Sequence, residues 1–288
     1  MNKPKIQNPK SKIALPFAKK SFGQNFLVDQ NYIDKIIAAL NPQAGETIIE
    51  IGAGRGALTE KLIASGANII ALELDRDLIP LLEKKFGACE NFLLVEQDAL
   101  KTDFAELANN PKFSERKPQS KLVANLPYYI STAILQKLVE QRAAFSEMIL
   151  MFQREVVQRI TAEAGKSERG FLTVLVEAYL KTEKLFDVPP RAFSPAPKVW
   201  STVVRLIKKK DEELEVSNDR LFKEIISFGF SQKRKTILNN LKNLPPKILC
   251  ECGGAENLLV ECEINTKRRA ETLTLEEWKA LMNLCNPG

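Results

Sequence analysis

The sequence predicts an α/β protein with a Rossmann-like, mostly parallel sheet, an antiparallel C-terminal hairpin and a small α-helical C-terminal domain. Three observations lead to this fold class. Short apolar runs alternate with helical stretches between residues 47 and 153, a glycine-rich turn follows the first run, and residues 220–288 lack the alternation of strands.

Five apolar runs rich in branched residues are the predicted parallel strands. They are 47–51, 68–74, 92–97, 121–126 and 147–153. Helical spacing is found between them, near 57–65, 76–86, 103–109 and 131–142. An earlier helix is predicted after Asp29, which is a suitable N-cap. Strands that alternate with helices indicate βαβ units and a parallel sheet covered on both faces.

The pattern changes after residue 154. A helix is predicted near 154–164, whereas 171–180 fits either a helix or a strand. The following segment predicts two strands joined by a Pro-rich turn, and such a hairpin can close an otherwise parallel sheet. The predicted division is a flexible basic N-terminal arm (1–24), a catalytic domain (25–207), a linker (208–219) and a helical domain (220–288).

Composition and charge limit the class of protein. The 288 residues are 44% hydrophobic and 27% charged, as in ordinary globular proteins. No apolar run approaches the roughly 18 residues of a membrane span, so we expect a cytoplasmic protein. The net charge of +6 comes from six Lys in residues 1–24, which contain no acidic residue. Such an arm suits contact with a polyanion, although solvated tails are also common.

The absence of His excludes catalysis by Ser-His-Asp or Cys-His groups and metal sites built on imidazole. The five Cys lack the paired spacing of zinc sites, so we expect free thiols and no metal. The remaining candidates for catalysis are carboxylates, amides, phenols and backbone groups. Without a His to titrate, we expect a nearly flat rate between about pH 6.5 and 8.5.

Three strand ends outline a site for a ligand that contains adenosine. Gly52 begins a glycine-rich turn that lets the backbone approach a ligand closely. Glu73 ends the second strand, where a carboxylate can accept hydrogen bonds from both ribose hydroxyls. Asp98 follows the third strand and can accept from an adenine amine, while Glu50 can brace the turn. The glycine motif alone also fits NAD, FAD or a turn without a ligand.

The segment from Asn125 to Tyr128 follows the fourth strand and suits methylation of an adenine amine. This nitrogen is a poor nucleophile, because its lone pair is delocalised into the ring. Acceptors directed at its two hydrogens favour the tetrahedral shape that attack requires. The Asn125 side chain supplies one acceptor, and Pro127 favours an extended Leu126 whose carbonyl supplies the other. Tyr128 can stack on the base.

A sulfonium methyl donor removes the need for a strong base, because the sulfide is an excellent leaving group. Positioning and fixed dipoles then suffice, in agreement with the absence of His. Phe193, in the Pro-rich turn, is predicted to contact the other face of a flipped base. An ordinary hairpin turn is the alternative interpretation of this segment.

Two basic clusters are candidates for binding phosphates. Their residues are Lys233, Arg234 and Lys235, next to an aromatic FGF segment, and Lys267, Arg268 and Arg269. Lysine and arginine bind nucleic acid mainly through the phosphate backbone. Each cluster alone is also typical of a solvated helix face.

The ordered set of motifs resembles the ribosomal RNA small-subunit adenine dimethyltransferase family, most closely its bacterial members. The motifs are KKSFGQNFL (19–27), EIGAGRGALT (50–59), ELDRD (73–77), QDAL (97–100), NLPYYIST (125–132), FQREVVQR (152–159), PPRAFSPAPKVWSTVVRL (189–206) and FSQKRKTILNNL (230–241). Two departures are Ala53, where Pro is usual, and Tyr129, where Asn is common. Residues 245–288 match less well.

The resemblance implies a class I methyltransferase that uses S-adenosylmethionine. It implies two methyl groups on each of two adjacent adenines in a 3′-terminal hairpin of 16S-type RNA, and a role in small-subunit biogenesis. The residues implied to contact the cofactor are Asn25, Leu27, Gly52, Glu73, Asp98 and Asn125. Those implied at the target base are Asn125, Tyr128 and Phe193. We expect the small ribosomal subunit as partner and a monomeric enzyme.

Three alternatives remain open at this point. A related methyltransferase of the macrolide-resistance type would act on large-subunit RNA, but FSQKRKT and the Pro-rich hairpin favour the small-subunit family. A nucleotide-dependent dehydrogenase would bind NAD and leave NLPY unexplained. A non-enzymatic assembly or transcription factor would bind RNA without turnover, and the intact NLPY and acidic residues argue against it.

Overall fold

The described residues of the computed structural model are 16–19, 23–113, 120–210, 213–214 and 216–286. Within them, nine strands form two sheets. The strands are β1 (Phe26–Leu27), β2 (Thr47–Ile51), β3 (Asn68–Glu73), β4 (Phe92–Glu96), β5 (Ser120–Asn125), β6 (Phe145–Gln153), β7 (Leu180–Val188), β8 (Phe193–Ser194) and β9 (Ser201–Lys208).

The larger sheet has the order β4-β3-β2-β5-β6-β9-β7. Its first five strands are parallel, whereas β9 pairs antiparallel with both β6 and β7. The predicted fold class, including the antiparallel hairpin, is therefore confirmed. The chain moves from β2 outward to β4 and then returns to β5 on the other side of β2. Ligands of open α/β sheets bind at such a switch point, beyond the carboxyl ends of the strands.

Twelve α-helices accompany the strands within the described residues. They are α1 (Gln30–Leu40), α2 (Ala57–Ala64), α3 (Ile79–Phe86), α4 (Phe104–Ala108), α5 (Ser131–Glu140), α6 (Arg154–Ile160), α7 (Phe171–Tyr179), α8 (Asp219–Gly229), α9 (Ile237–Leu241), α10 (Pro246–Glu251), α11 (Ala255–Glu261) and α12 (Leu275–Leu284). Asp29 caps α1 as predicted, because its side chain accepts from the Asn31 N–H at 3.0 Å. The undecided segment 171–180 is mostly the helix α7.

The central strands are buried on both faces, which explains their continuous apolar runs. All five residues of β2 are buried. Ile48 packs with α1 and α2 on one side, whereas Ile49 packs with α5 on the other. Such a strand is stable only where helices cover both faces of the sheet. Packing of helices on both faces holds the carboxyl ends of the parallel strands together at one edge of the sheet.

Residues 219–284 form the helices α8 to α12, which pack against α7. The rings of Tyr179 and Phe222 meet edge to face with centroids 6.2 Å apart. Trp278 is fully buried and stacks with Phe230. The apolar core therefore continues from the sheet into the helical region. This contact orients the helical region relative to the sheet.

The predicted linker and arm are partly described. β9 extends to Lys208 and α8 begins at Asp219, while residues 211, 212 and 215 of the predicted linker lie outside the described residues. Of the arm, 1–15 and 20–22 also lie outside them.

All five Cys are free, and the Sγ atoms of Cys252 and Cys285 are 3.4 Å apart. None of the described helices is long and apolar enough to span a membrane.

Candidate active site

A cleft at the carboxyl ends of β2, β3, β4 and β5 contains most of the predicted site. Its lining includes Asn25, Gly52, Glu73, Asp98, Asn125, Leu126, Pro127 and Tyr128. These residues come from five separate segments of the chain, and the parallel sheet brings them to one edge. Leu27 and Phe193 are not part of this lining.

The glycine-rich turn enters α2 through backbone conformations that favour glycine. Gly52, Gly54 and Gly56 have φ values of 73°, 60° and 82°. A Cβ atom at Gly56 would also lie 2.5 Å from a ring carbon of Phe86. Glycine is therefore required at Gly56 by both backbone strain and space. The turn leaves the N-terminus of α2 beside the cleft.

Glu73 is buried at the end of β3 and connects three parts of the backbone. Its Oε2 accepts from the Gly54 N–H at 2.8 Å. Its Oε1 accepts from the N–H groups of Leu74 and Asp75, each at 2.9 Å. Burial raises the pKa of Glu73, and these three hydrogen bonds oppose that rise. The carboxylate thus holds the glycine turn against the turn that follows β3.

Glu50 is a second buried carboxyl at this edge. The sequence analysis suggested that it braces the glycine-rich turn. It is 2% exposed, and the Thr59 hydroxyl donates to its Oε2 at 2.6 Å. This bond connects β2 to α2. Burial and the nearby charge of Glu73 raise the pKa of Glu50 to about 7. The absence of His therefore does not remove every group that titrates near neutral pH.

Asp98 follows β4 and presents one carboxylate oxygen to the cleft. Its Oδ1 accepts from the Leu100 N–H at 2.9 Å. Its Oδ2 has no hydrogen-bond partner among the described residues. Such an oxygen can accept from an amine or hydroxyl of a ligand.

The side-chain amide of Asn125 has a defined orientation. Its Nδ2 lies 3.1 Å from the carbonyl oxygen of Asn25. A carbonyl oxygen can only accept, so the NH₂ group must face it. Oδ1 is then the atom that remains to accept from an amine in the cleft. Asn25 therefore affects the site through its backbone carbonyl, a role that the sequence did not predict.

Tyr128 is held by a contact across the sheet edge. Its hydroxyl lies 2.8 Å from Oγ of Ser201, the buried first residue of β9. Burial raises the pKa of Tyr128 above its usual value, so the hydroxyl stays protonated at neutral pH. The phenol can thus share a hydrogen bond with Ser201 while the ring lines the cleft.

The described part of the arm lies over the glycine turn. Lys19 forms an ion pair with Asp75, and the Gln24 amide donates to the other Asp75 oxygen at 2.8 Å. The guanidinium of Arg55 lies 4.3 Å from the ring centroid of Phe26. Asp75 is 1% exposed, so its charge is neutralised in place. The sequence did not reveal these contacts, because the two residues of each pair are far apart in the chain and no local pattern links them.

Leu27 and Phe193 face each other instead of the cleft. β1 pairs with β8, with Leu27 opposite Phe193, and the two side chains are 5% and 4% exposed. Both pack in the core on the side of α1. In this arrangement Phe193 does not line the cleft in which the base is predicted to bind. Its contact with the base stays a prediction.

The two basic clusters lie next to each other. Lys233, Arg234 and Lys235 are exposed in the loop between α8 and α9. The Ile237 N–H donates to the Arg268 carbonyl at 2.7 Å, which joins this loop to the second cluster. The guanidinium of Arg268 pairs with Glu277 at the start of α12, so this residue has a structural contact. Lys267 and Arg269 remain exposed.

The fold and the cleft define the class of protein as a Rossmann-like methyltransferase that depends on S-adenosylmethionine. Comparison with known families gives the particular group. The family model described as ribosomal RNA adenine dimethylase matches residues 17–281. This chain belongs to the ribosomal RNA adenine dimethylase family.

Two relatives that cover most of this chain have the same name. The ribosomal RNA small subunit methyltransferase A of Clostridium botulinum is 39% identical over 262 residues, which are 91% of this chain and 92% of that protein. The protein of the same name from Hahella chejuensis is 44% identical over 227 residues, 79% of this chain and 81% of that protein.

Solved structures agree with this assignment. A dimethyladenosine transferase from Plasmodium falciparum is 28% identical with a TM-score of 0.72, covering 89% of this chain and 95% of that chain. The 23S rRNA methyltransferase ErmE is 23% identical with a TM-score of 0.64, covering 91% of this chain and 100% of that chain. The likeness to ErmE shows the fold alone.

The raised pKa of Glu50 predicts a pH-dependent effect of Glu50→Gln on stability. Folding raises this pKa from 4.5 to about 7. The contribution of the Glu50 carboxyl to stability is therefore complete below pH 4.5 and is lost as pH rises through 7. Glutamine avoids the buried charge. Relative to wild type, the free energy of unfolding of the variant should therefore rise by about 3 kcal/mol between pH 4.5 and 8. Urea unfolding across this range measures the difference. Glu60→Gln, at an exposed carboxyl of α2, is the control, and a flat difference for Glu50→Gln would contradict the assignment.

Proposed function

We propose that this enzyme dimethylates two adjacent adenines in a 3′-terminal hairpin of 16S-type RNA, with the small ribosomal subunit as its substrate. The observation that carries the proposal is the fixed Asn125 amide, whose Oδ1 remains available to an amine in the cleft. Family membership supports the adenine, and the name shared by the relatives supports the small subunit. A monomer acting in the cytoplasm is part of this proposal, as is a role in subunit biogenesis.

The residues of the cleft fit S-adenosylmethionine. Gly52 and the turn that follows it can lie against the amino acid part of the cofactor, and the Oδ2 atom of Asp98 can accept from the adenine amine. Glu73 can accept from ribose hydroxyls with the lone pairs that its three backbone donors leave free. Asn25, which lines the cleft just after the arm, completes these cofactor contacts, whereas the proposed contact of Leu27 stays a prediction. When bound, the cofactor supplies an electrophilic methyl group on a sulfonium.

The chain positions the target amine by hydrogen bonds. Oδ1 of Asn125 accepts one N–H, and the Leu126 carbonyl accepts the other. Both acceptors direct the nitrogen lone pair towards the methyl group and stabilise the tetrahedral nitrogen that develops during attack. Tyr128 stacks on the base, and its hydrogen bond to Ser201 restricts the ring. The proton of the amine leaves to solvent during or after transfer.

Residues 220–288 are proposed as the part of the chain that grips RNA. Lys233, Arg234, Lys235, Lys267 and Arg269 are all exposed, and the hydrogen bond from Ile237 to the Arg268 carbonyl brings their two segments together. Phosphate contacts fix the position of a protein on RNA but carry little sequence information. We therefore assign target choice to the shape of the hairpin and to unpaired bases, which are easier to flip.

Incubation of small subunits that lack the modification with labelled S-adenosylmethionine tests the function. Mass mapping of the RNA should find label on two adjacent adenines. Asn125→Ala should lower turnover more than RNA affinity, because its hydrogen bond matters most as the nitrogen becomes tetrahedral. Asn125→Asp keeps an acceptor but sets a carboxylate oxygen against the Asn25 carbonyl, so it should not restore full activity. Label on large-subunit RNA alone would refute the proposed substrate.

Substitution of Glu73 should weaken cofactor binding. Glu73→Ala removes the proposed ribose contacts, and charge-assisted hydrogen bonds contribute about 1.5–3 kcal/mol each. It also leaves three backbone donors without their acceptor. We expect at least a tenfold loss of affinity by calorimetry, with partial recovery in Glu73→Gln. Glu96→Gln, at the exposed end of β4, is the matched control. Unchanged affinity in Glu73→Ala would disprove the contact.

Replacing Lys233, Arg234 and Lys235 with Gln should weaken binding to subunits and flatten its salt dependence. Each lost phosphate contact lowers the slope of log affinity against log salt by about 0.9 on a duplex or 0.7 on a single strand. Affinity for S-adenosylmethionine should not change. A triple Gln variant at the exposed Lys35, Lys61 and Lys84 of α1 to α3 controls for net charge. Equal slopes for the two triple variants would place the RNA grip elsewhere.

A further inference from the structure

Trp200 is an exposed aromatic residue at the catalytic edge. It is 45% exposed, whereas Trp278, the other tryptophan of the chain, is fully buried. A single exposed apolar side chain is common on protein surfaces. The position and the neighbours of Trp200 therefore decide whether it has a function.

Trp200 precedes β9 at the sheet edge where the cleft lies, because Ser201 pairs with Gln153 at the carboxyl end of β6. Its chain neighbour Ser201 holds the hydroxyl of Tyr128 at 2.8 Å. The Cα atoms of Trp200 and Ser201 are about 3.8 Å apart, as in any trans peptide. The Trp200 carbonyl accepts from the Arg154 N–H at 2.9 Å, which fixes this strand end against the start of α6. Trp200 is thus held beside the residue that positions Tyr128.

Arg154 adds a cation to this position. Its guanidinium lies 4.9 Å from the centroid of the Trp200 ring, within the range of a cation–π contact. Its Nη2 donates to Asp187 at 2.8 Å, whereas its Nη1 donates to no other described residue. The side chain is 41% exposed. A guanidinium with one free donor group beside an exposed indole can bind a phosphate while a base stacks on the ring.

The helix α6 connects this position to the helical region. It begins at Arg154 and ends at Ile160, and seven helical residues span about 10 Å. The loop that follows α6 contacts the helical region, where the Gly165 N–H donates to the Glu271 carbonyl at 2.8 Å. RNA that reaches from the basic surface to the cleft can therefore pass Trp200.

We propose that Trp200 and Arg154 form a subsite for an unpaired nucleotide next to the target adenine. Its base stacks on the indole, and its phosphate accepts from Nη1 of Arg154. Every base has an aromatic face, so this subsite holds the flanking nucleotide without reading its identity. The subsite keeps the RNA strand unstacked while the adenine occupies the cleft. This inference rests on the proposed function, which it extends to a second nucleotide.

Steady-state methylation of unmodified small subunits tests the subsite with three variants. Trp200→Ala and Trp200→Leu should raise the KM for subunits about 5- to 150-fold, the range that corresponds to one stacked base. Their KM for S-adenosylmethionine should not change. Trp200→Phe keeps an aromatic face and should retain most of the affinity. Val260→Ala, at an exposed residue of α11, should behave as wild type.

Tryptophan fluorescence gives a readout that does not depend on turnover. The probe is an RNA hairpin with two adjacent adenines in its loop, and a fully paired duplex of the same length is the control. The hairpin should quench wild-type emission more than the duplex does. Trp200→Ala retains the buried Trp278 and should show no such difference.

The outcomes separate the two proposals. If wild type does not methylate subunits, the proposed function fails, while the fluorescence titration still decides whether a base stacks on Trp200. If wild type is active and Trp200→Leu keeps the wild-type KM for subunits, stacking on the indole is wrong. Equal quenching by hairpin and duplex would also overturn the subsite.

Discussion

The carboxylate of Glu73 is the group on which the geometry of the cleft depends. Its three hydrogen bonds join the glycine turn after β2 to the turn after β3, so the two strand ends are held together. The turn after β3 also contains Asp75, which holds Lys19 and Gln24 of the arm. Asn25 follows Gln24, and its carbonyl orients the Asn125 amide. A continuous series of polar contacts therefore connects the proposed ribose contact to the proposed acceptor of the target amine.

This series gives the arm a role that its charge alone does not suggest. A Lys-rich segment at the start of a chain is usually interpreted by its attraction to polyanions. Lys19 instead neutralises a buried aspartate, and the ring of Phe26 contacts the guanidinium of Arg55 and lies against Gly54 of the glycine turn. The described end of the arm thus belongs to the cleft, which it closes on one side.

The sequence predicted the elements that have a local pattern and missed the contacts that have none. β2 was predicted with its observed bounds, because a glycine turn ends its apolar run. The segment 171–180 stayed undecided, because nearly every residue of α7 is buried and a fully apolar run shows no periodicity. The cleft residues could be found because parallel strands end at one edge. The burial of Phe193 could not, since β1 and β8 are two residues long and leave no strand pattern.

The absence of His from the sequence excludes imidazole chemistry, but burial creates a different titrating group. A glutamate in water is ionised at neutral pH. Burial of Glu50 between β2 and α2, close to Glu73, raises its pKa to about 7. Two carboxyls at one edge cannot both be charged without cost. Glu73 accepts three backbone N–H groups, which favour its anion, whereas the Glu50 carboxyl accepts from the Thr59 hydroxyl. Burial therefore sets the protonation of Glu50, while the backbone hydrogen bonds favour the anion of Glu73.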